Sequence, residues 1–284
     1  MSKYEEALQN FGPDLQDDAV HKKTAVILDK CEENNTPEVL KFLYSCIDLT
    51  SLNTEDNKES IWHLAETVND FEGSRPDIPN VAAICVYPNF VSTVKEALTA
   101  ENVQIAAVAG GFPSSQTFAE VKIAEVSLAV ADGADEIDIV LDAGAFFEEN
   151  WEELSQEIEE IKSACRDAQL KVILETGLLK TAANIRKATI LSIYSGADFI
   201  KTSTGKVYPG ATPEAAYVIC QTIKEYYGFH RKKIGIKVSG GVRSTEDAIK
   251  YYTIVKEILG KEWLTPQLFR IGASSLANNL LKCI

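Results

Sequence analysis

Cationic side chains are scarce in this 284-residue chain: 28 Lys and Arg stand against 42 Asp and Glu, for a net charge of −14 and a pI near 4.8. That balance argues against a surface for nucleic acid or anionic membrane and for a soluble cytoplasmic protein, in which any anionic ligand needs a local basic pocket. Long apolar runs are missing too. None reaches the roughly 18 residues that a membrane span requires, and the opening MSKYEEALQNFGPDLQDD is too polar for a signal peptide. The six cysteines (Cys31, Cys46, Cys85, Cys165, Cys220 and Cys283) follow no CxxC or metal-ligand spacing, and several sit in apolar runs such as AAICV, so they read as reduced core residues. There are three histidines, His21, His63 and His230, in expected helices or polar loops without matching Cys, Asp or Glu spacing, and no metal is indicated. No GxSxG or GxGxxG stands at a strand-to-helix turn, which removes the main hydrolase and dinucleotide readings, and TSTGK lacks the spacing of a Walker loop.

What the chain does contain is ordinary globular composition, 45% apolar and 25% charged, at a length suited to one large α/β barrel or two smaller domains. From about residue 44, eight apolar runs alternate with amphipathic segments: LYSCIDL, VAAICVYP, VQIAAVAG, EIDIVL, KVILETG, FIKTS, IGIKVSGG and LFRIGAS. Near-continuous hydrophobicity fits parallel strands covered on both faces, and eight strand–helix units predict a closed (β/α)8 TIM barrel. Between them, Trp151, Leu154, Ile158 and Ile161 form a stripe at helical spacing, with Glu152, Glu153, Glu157, Glu159 and Glu160 as its solvated face. Ser244-Thr245-Glu246-Asp247 resembles a capping box opening a helix that Gly260 would stop. FEGSRPDIPN reads as a loop, and residues 1–43 as a helical extension packed on a single barrel domain of residues 44–284.

Two lysines close strand-like runs, Lys201 in GADFIKTSTGK and Lys237 in KIGIKVSGGVR. Buried ammonium groups are rarely left unpaired, and two neighbouring ones repel, so the favourable state has one amine neutral, as a Schiff-base nucleophile requires. GADEIDIV and GADFIKTS share a register: Asp138 follows Gly133 by five residues and Lys201 follows Gly196 by five. On the fourth and sixth strands, these side chains should enter the barrel at similar height, with Lys237 beside Lys201. A plainer possibility is that the lysines reach the rim and merely pair with acids such as Asp138 or Glu175.

Three glycine-containing turns follow strands at the same end: Ser203-Thr204-Gly205-Lys206, Ser239-Gly240-Gly241-Val242-Arg243 and Gly272-Ala273-Ser274-Ser275. Their backbone amides can cradle a phosphate, GASS would open a helix facing it, and Lys206 and Arg243 can supply positive charge. Each turn alone is ordinary turn chemistry; the three together point to an anion site.

From CIDLTSLN at residue 46 to GASSL ending at 276, the chain resembles the deoxyribose-phosphate aldolases, through ICVYPNF, GADEIDIV, KVILETG, GADFIKTSTGK, ATPEA, KVSGGVR and RIGASS in family order. The resemblance implies a class I aldolase on a TIM barrel, without a cofactor, splitting 2-deoxy-D-ribose 5-phosphate reversibly into acetaldehyde and D-glyceraldehyde 3-phosphate in deoxyribose catabolism. It implies Lys201 as the imine-forming lysine, Lys237 as the residue that tunes it, and Asp138 as the proton-transfer acid acting with water. Asp48, Thr50, Cys85 and Thr204 are implied as substrate-binding residues, Asp48 either contacting the substrate hydroxyl or helping to organise the site, and Gly205, Lys206, Gly240, Gly241, Arg243, Gly272, Ser274 and Ser275 as the phosphate site. The implied partners are phosphosugar and aldehyde substrates and further copies of the chain, as a homodimer or higher oligomer.

Two departures stand out. Some members carry a terminal tyrosine that assists proton transfer, whereas no tyrosine follows Tyr252 here, so slower turnover or transfer through water alone is expected. VAGGFPSS is a glycine-rich variant of the third-strand segment. An aldolase with different donor or acceptor preference would keep Lys201 and differ around Asp48, Cys85 and that loop. A non-catalytic phosphometabolite-binding barrel would use the glycine turns, but it gives no reason for paired lysines.

Overall fold

The computed structural model describes residues 3–284. Eight parallel strands pair in chain order and close into a barrel: β1 (Ile47–Thr50), β2 (Ala83–Val86), β3 (Gln104–Ala109), β4 (Glu136–Val140), β5 (Gln169–Ile173), β6 (Phe199–Lys201), β7 (Gly235–Ser239) and β8 (Phe269–Ala273). Each overlaps one of the apolar runs of the sequence, with Thr50 and with Gln169 and Leu170 just outside theirs, so the TIM-barrel expectation is met. The first run divides between helix and strand. Leu43, Tyr44 and Ser45 belong to a helix, Pro37–Ser45, opened by Pro37 and by Thr36 Oγ1, which accepts from the Val39 amide at 3.4 Å. Its buried Leu40, Leu43 and Tyr44 prolong the apolar run up to the strand.

The apolar stripe from Trp151 becomes helix Trp151–Cys165, burying Leu154, Ile158 and Ile161. Its acidic face is less uniformly solvated than expected. Glu157 binds the buried ammonium of Lys122 at 2.7 and 2.8 Å, because that lysine enters from the neighbouring helix Ala119–Asp132 and needs a counter-charge. Ser244 caps helix Thr245–Ile258 by accepting from the Asp247 amide at 3.1 Å, and Gly260, at φ +87°, stands just beyond that helix. Three α-helices, Lys3–Asn10, Asp17–Leu28 and Pro37–Ser45, precede β1 and pack on the outer helical ring. Asp17 accepts from the Ala182 amide at 2.7 Å, and the guanidinium of Arg186 joins Gly12 O to Glu225.

The barrel has two dissimilar interiors. Outward strand residues such as Ile84, Ile105, Ile137, Ile139, Val172, Ile200, Ile236 and Ile271 join the helices in one continuous apolar core. Inside, Leu52, Ala83, Cys85, Ala106 and Val108 form a small separate cluster on the β2–β3 side. Branched aliphatics fill the lumen of many such barrels. Here much of the remainder is occupied by ionisable side chains from β1, β4, β5, β6, β7 and β8.

Candidate active site

Strand register brings these charges together. Asp138 is paired across the sheet with Lys171, Lys201 with Lys237, and Lys237 with Arg270. The carboxylate of Asp138 is the hub: its Oδ2 lies 2.7 Å from both Lys201 Nζ and Lys237 Nζ, and its Oδ1 lies 2.9 Å from Lys171 Nζ. Lys237 also reaches Asp48 Oδ2 at 2.5 Å, and Lys171 reaches Glu136 at 2.6 Å. Arg270 closes the network, bonding Asp48 at 2.7 Å and Glu136 at 2.7 and 3.1 Å. The lysine pair thus meets Asp138 but not Glu175, which instead accepts from Thr204 Oγ1 at 2.5 Å and from the Thr204 amide at 3.3 Å.

Three carboxylates face four potential cations in this buried cluster, so the charges balance when one amine is neutral. Lys201 is the amine whose proton is disfavoured. Burial pushes its pKa down, and the charge on Lys237 adds to burial, outweighing the attraction of Asp138. For Lys237 burial also works against the charged form, but Asp138 and Asp48 together hold its pKa well above the ordinary value. Burial likewise disfavours the carboxylate forms of Asp138 and Asp48, yet the surrounding cations win and hold both below the usual range. Lys171, buried between Asp138 and Glu136, has its pKa raised in spite of desolvation.

Above Lys201 lies a pocket of about 230 Å³ at the C-terminal ends of the strands, lined by Thr50, Thr204 and the three glycine turns. No carboxylate lines it, and Lys206 and Arg243 do, which makes it a cationic pocket on an acidic chain. Gly205, Gly240, Gly241, Gly272, Ser274 and Ser275 all contribute to the wall. The turns touch through backbone: Gly240 adopts φ +85°, and a Cβ on it would lie 2.8 Å from Gly210 Cα. The Ala211 amide donates to Ser239 O and Gly240 O, and Lys206 Nζ bonds Leu52 O. Lys201, 3% exposed, is the only member of the charge cluster that lines this pocket.

Two sequence-selected residues lie outside the pocket wall. Asp48 is fully buried beneath Lys237 and Arg270, and Cys85 is fully buried in the β2–β3 cluster, where burial raises its thiol pKa. Thr50 and Thr204 do line the pocket; Thr50 Oγ1 donates to Asp48 O at 2.8 Å, and Thr204 Oγ1 accepts from the Lys206 amide at 3.2 Å. Sequence reasoning passed over Glu136, Lys171 and Arg270. Their signal was present: each is a charge inside an apolar strand run, and Glu136 lies two residues before Asp138, on the same strand face.

A closed parallel barrel with an amine whose proton is disfavoured at the floor of a cationic pocket is the equipment of a Schiff-base enzyme for an anionic small molecule. A family model described as DeoC/LacD family aldolase matches residues 42–280. A Caenorhabditis elegans relative is 45% identical over 250 residues, 87% of this chain and 82% of its own length. A human protein named deoxyribose-phosphate aldolase is 41% identical over 244 residues, 82% of this chain and 77% of its own. Among solved structures, a tetrameric deoxyribose phosphate aldolase from Aeropyrum pernix superposes with a TM-score of 0.67 at 26% identity, covering 90% of this chain and 95% of that one. The chain belongs to the DeoC/LacD family of aldolases, and is an aldehyde lyase.

Proposed function

We propose that the protein cleaves 2-deoxy-D-ribose 5-phosphate reversibly to acetaldehyde and D-glyceraldehyde 3-phosphate, as a class I aldolase of deoxyribose catabolism. One observation carries the reading: of the interior charges, the amine whose proton is disfavoured is the one that opens to the carboxylate-free pocket. The names of the human and Aeropyrum relatives support the substrate.

In this reading neutral Lys201 attacks C1 of the open-chain sugar and water leaves, giving an iminium on the lysine. As the C3 hydroxyl loses its proton to a water held by Asp138, the C2–C3 electron pair moves into the iminium and D-glyceraldehyde 3-phosphate departs. The remaining enamine takes a proton at C2, and water releases acetaldehyde and restores the amine. Asp138 is too enclosed to touch substrate directly. Conversion of the amine to an iminium removes one N–H donor from its Oδ2 side, which favours a water there.

Lys237 stays charged and keeps Lys201 neutral, Asp48 holds Lys237, and Thr50 and Thr204 border the reacting end. Cys85 shapes the apolar wall behind it. The phosphate rests on Gly205, Gly240, Gly241, Gly272, Ser274 and Ser275, with Lys206 and Arg243 as counter-charges. Binding energy from a phosphate remote from C1 and C2 orients the reacting bond. A barrel of residues 44–284 with an extension of residues 1–43, a cytoplasmic setting and a homo-oligomer complete the reading. Packing of the first helices on the outer ring, the acidic composition and the tetrameric Aeropyrum relative support these in turn. Among the described residues no helix is long and apolar enough to cross a membrane.

A coupled assay for acetaldehyde, the product common to both sugars, tests the substrate. Cleavage of deoxyribose 5-phosphate should exceed that of unphosphorylated deoxyribose by about 100-fold or more, the worth of two charge-assisted contacts. Equal rates would refute the phosphate assignment.

A further inference from the structure

The charge cluster does not stop beneath the pocket. It continues from Lys201 through Asp138 and Lys171 to Glu136 and Arg270, which line a separate cleft of about 610 Å³ at the N-terminal ends of the strands. Pro266 O accepts from Arg270 Nε at that end, and the charged Asp135, Arg166 and Asp167, which precede β4 and β5, also line the cleft. The barrel is thus crossed by one unbroken chain of ion pairs, with the pocket at one end and a guanidinium at the other.

We propose that Arg270 and Glu136 are positioning residues for the reaction: from the far end of the barrel they set whether Lys201 carries a proton. The inference rests on Lys201 being the imine-forming amine. Every strand facing Lys201 enters the balance. Asp48 comes from β1, Cys85 from β2, Glu136 and Asp138 from β4, Lys171 from β5, Lys237 from β7 and Arg270 from β8, while β3 contributes Ala106 and Val108 without charge. Glu175, after β5, is turned to Thr204, and Lys206 lies at the pocket lip. With Lys201 neutral, three carboxylates face Lys171, Lys237 and Arg270. Deleting Arg270 leaves an uncompensated carboxylate, which Lys201 can neutralise by keeping its proton. Deleting Glu136 leaves an excess cation and drives the proton off Lys201.

Arg270 is two strands from Lys201 in register, about 10 Å at ordinary strand spacing. At an effective dielectric of about 20 this separation corresponds to a shift of about one pH unit. A purely structural role for the pair would move stability without moving the two midpoints in opposite directions.

The test is the pH dependence of borohydride trapping with acetaldehyde, with the modified lysine located by peptide mass analysis and folding checked by thermal melts. Arg270→Met should move the trapping midpoint at Lys201 upward by about one unit, and Glu136→Gln should move it downward. The double variant, which removes one charge of each sign, should return toward the wild-type midpoint. If Arg270→Met does not fold, Glu136→Gln and the double variant carry the comparison. Midpoints that stay put, or shift in the same direction, in folded variants trapped at Lys201 overturn this inference and leave the assignment of Lys201 intact. Wild-type protein trapped elsewhere overturns both.

Discussion

Replacing Lys237 by Met tests the electrostatic design at its shortest link. Both Lys237 Nζ and Lys201 Nζ lie 2.7 Å from one oxygen of Asp138, which keeps the two nitrogens within about 5 Å of each other. At an effective dielectric of about 20, a unit charge at that distance disfavours the second proton by about 3 kcal/mol, or about two pH units. Met removes the charge while retaining an unbranched chain for the space beside Gly272, where a Cβ would stand 3.1 Å from Lys237 Cε. It also leaves Asp48 with one fewer cation and Asp138 with Lys201 and Lys171 alone. Both changes favour the ammonium form of Lys201. The pH midpoint for borohydride trapping with acetaldehyde should therefore rise by about two units, and the initial trapping rate at pH 7 should fall about 100-fold. Activity should recover partly in alkaline buffer. A folded variant whose midpoint matches wild type would show that Lys237 does not set the protonation of Lys201, and the electrostatic reasoning fails.

Other perturbations separate the parts of the site. Changing both Lys206 and Arg243 to Met should lower kcat/KM for deoxyribose 5-phosphate by about 10- to 100-fold and leave unphosphorylated deoxyribose nearly unaffected if the two cations of the pocket hold the phosphate as proposed. Gly240→Ala places a Cβ 2.8 Å from Gly210 Cα at a φ of +85°, so the two turns must separate; KM for the phosphorylated sugar should rise about tenfold or more, measured by the same coupled assay. Gly235→Ala drives a methyl to 2.3 Å from the Phe199 ring and should reduce unfolding free energy by about 1–3 kcal/mol in urea titrations. Asp48 and Asp138 are held below the ordinary carboxylate range, so their contribution to stability is present above about pH 4 and is lost as pH falls through their lowered values; denaturation midpoints should drop in that acid window, and a flat profile there would contradict the ion-pair geometry.

The barrel was legible because its outward strand faces are so consistently apolar that every strand overlaps a run visible in the sequence. Boundaries blurred where helix and strand share one apolar segment, as at Leu43 to Ile47. The meeting of Asp138 and Lys201 could be anticipated from the shared Gly-Ala-Asp register, because inward positions on alternate strands come to one height. Glu136, Lys171 and Arg270 were harder to read for a specific reason. A charge followed by a glycine turn marks a strand end, whereas these three occur in mid-strand or at a strand start, where a barrel can enclose a charge by pairing it across its own lumen. Sequence could not say which partner each would find, since that depends on strands far apart in the chain. The depth of Asp48 was hidden likewise, because its partners Lys237 and Arg270 come from strands far from it in the chain, whereas Cys85, in the apolar run AAICV, is buried as that run suggests.

The account turns on which amine forms the imine, and peptide mass mapping after borohydride reduction in acetaldehyde measures that most directly. Wild-type protein should carry a single ethyl group, on Lys201. Labelling of Lys171, Lys206 or Lys237 in its place, or no label at all, would contradict the account.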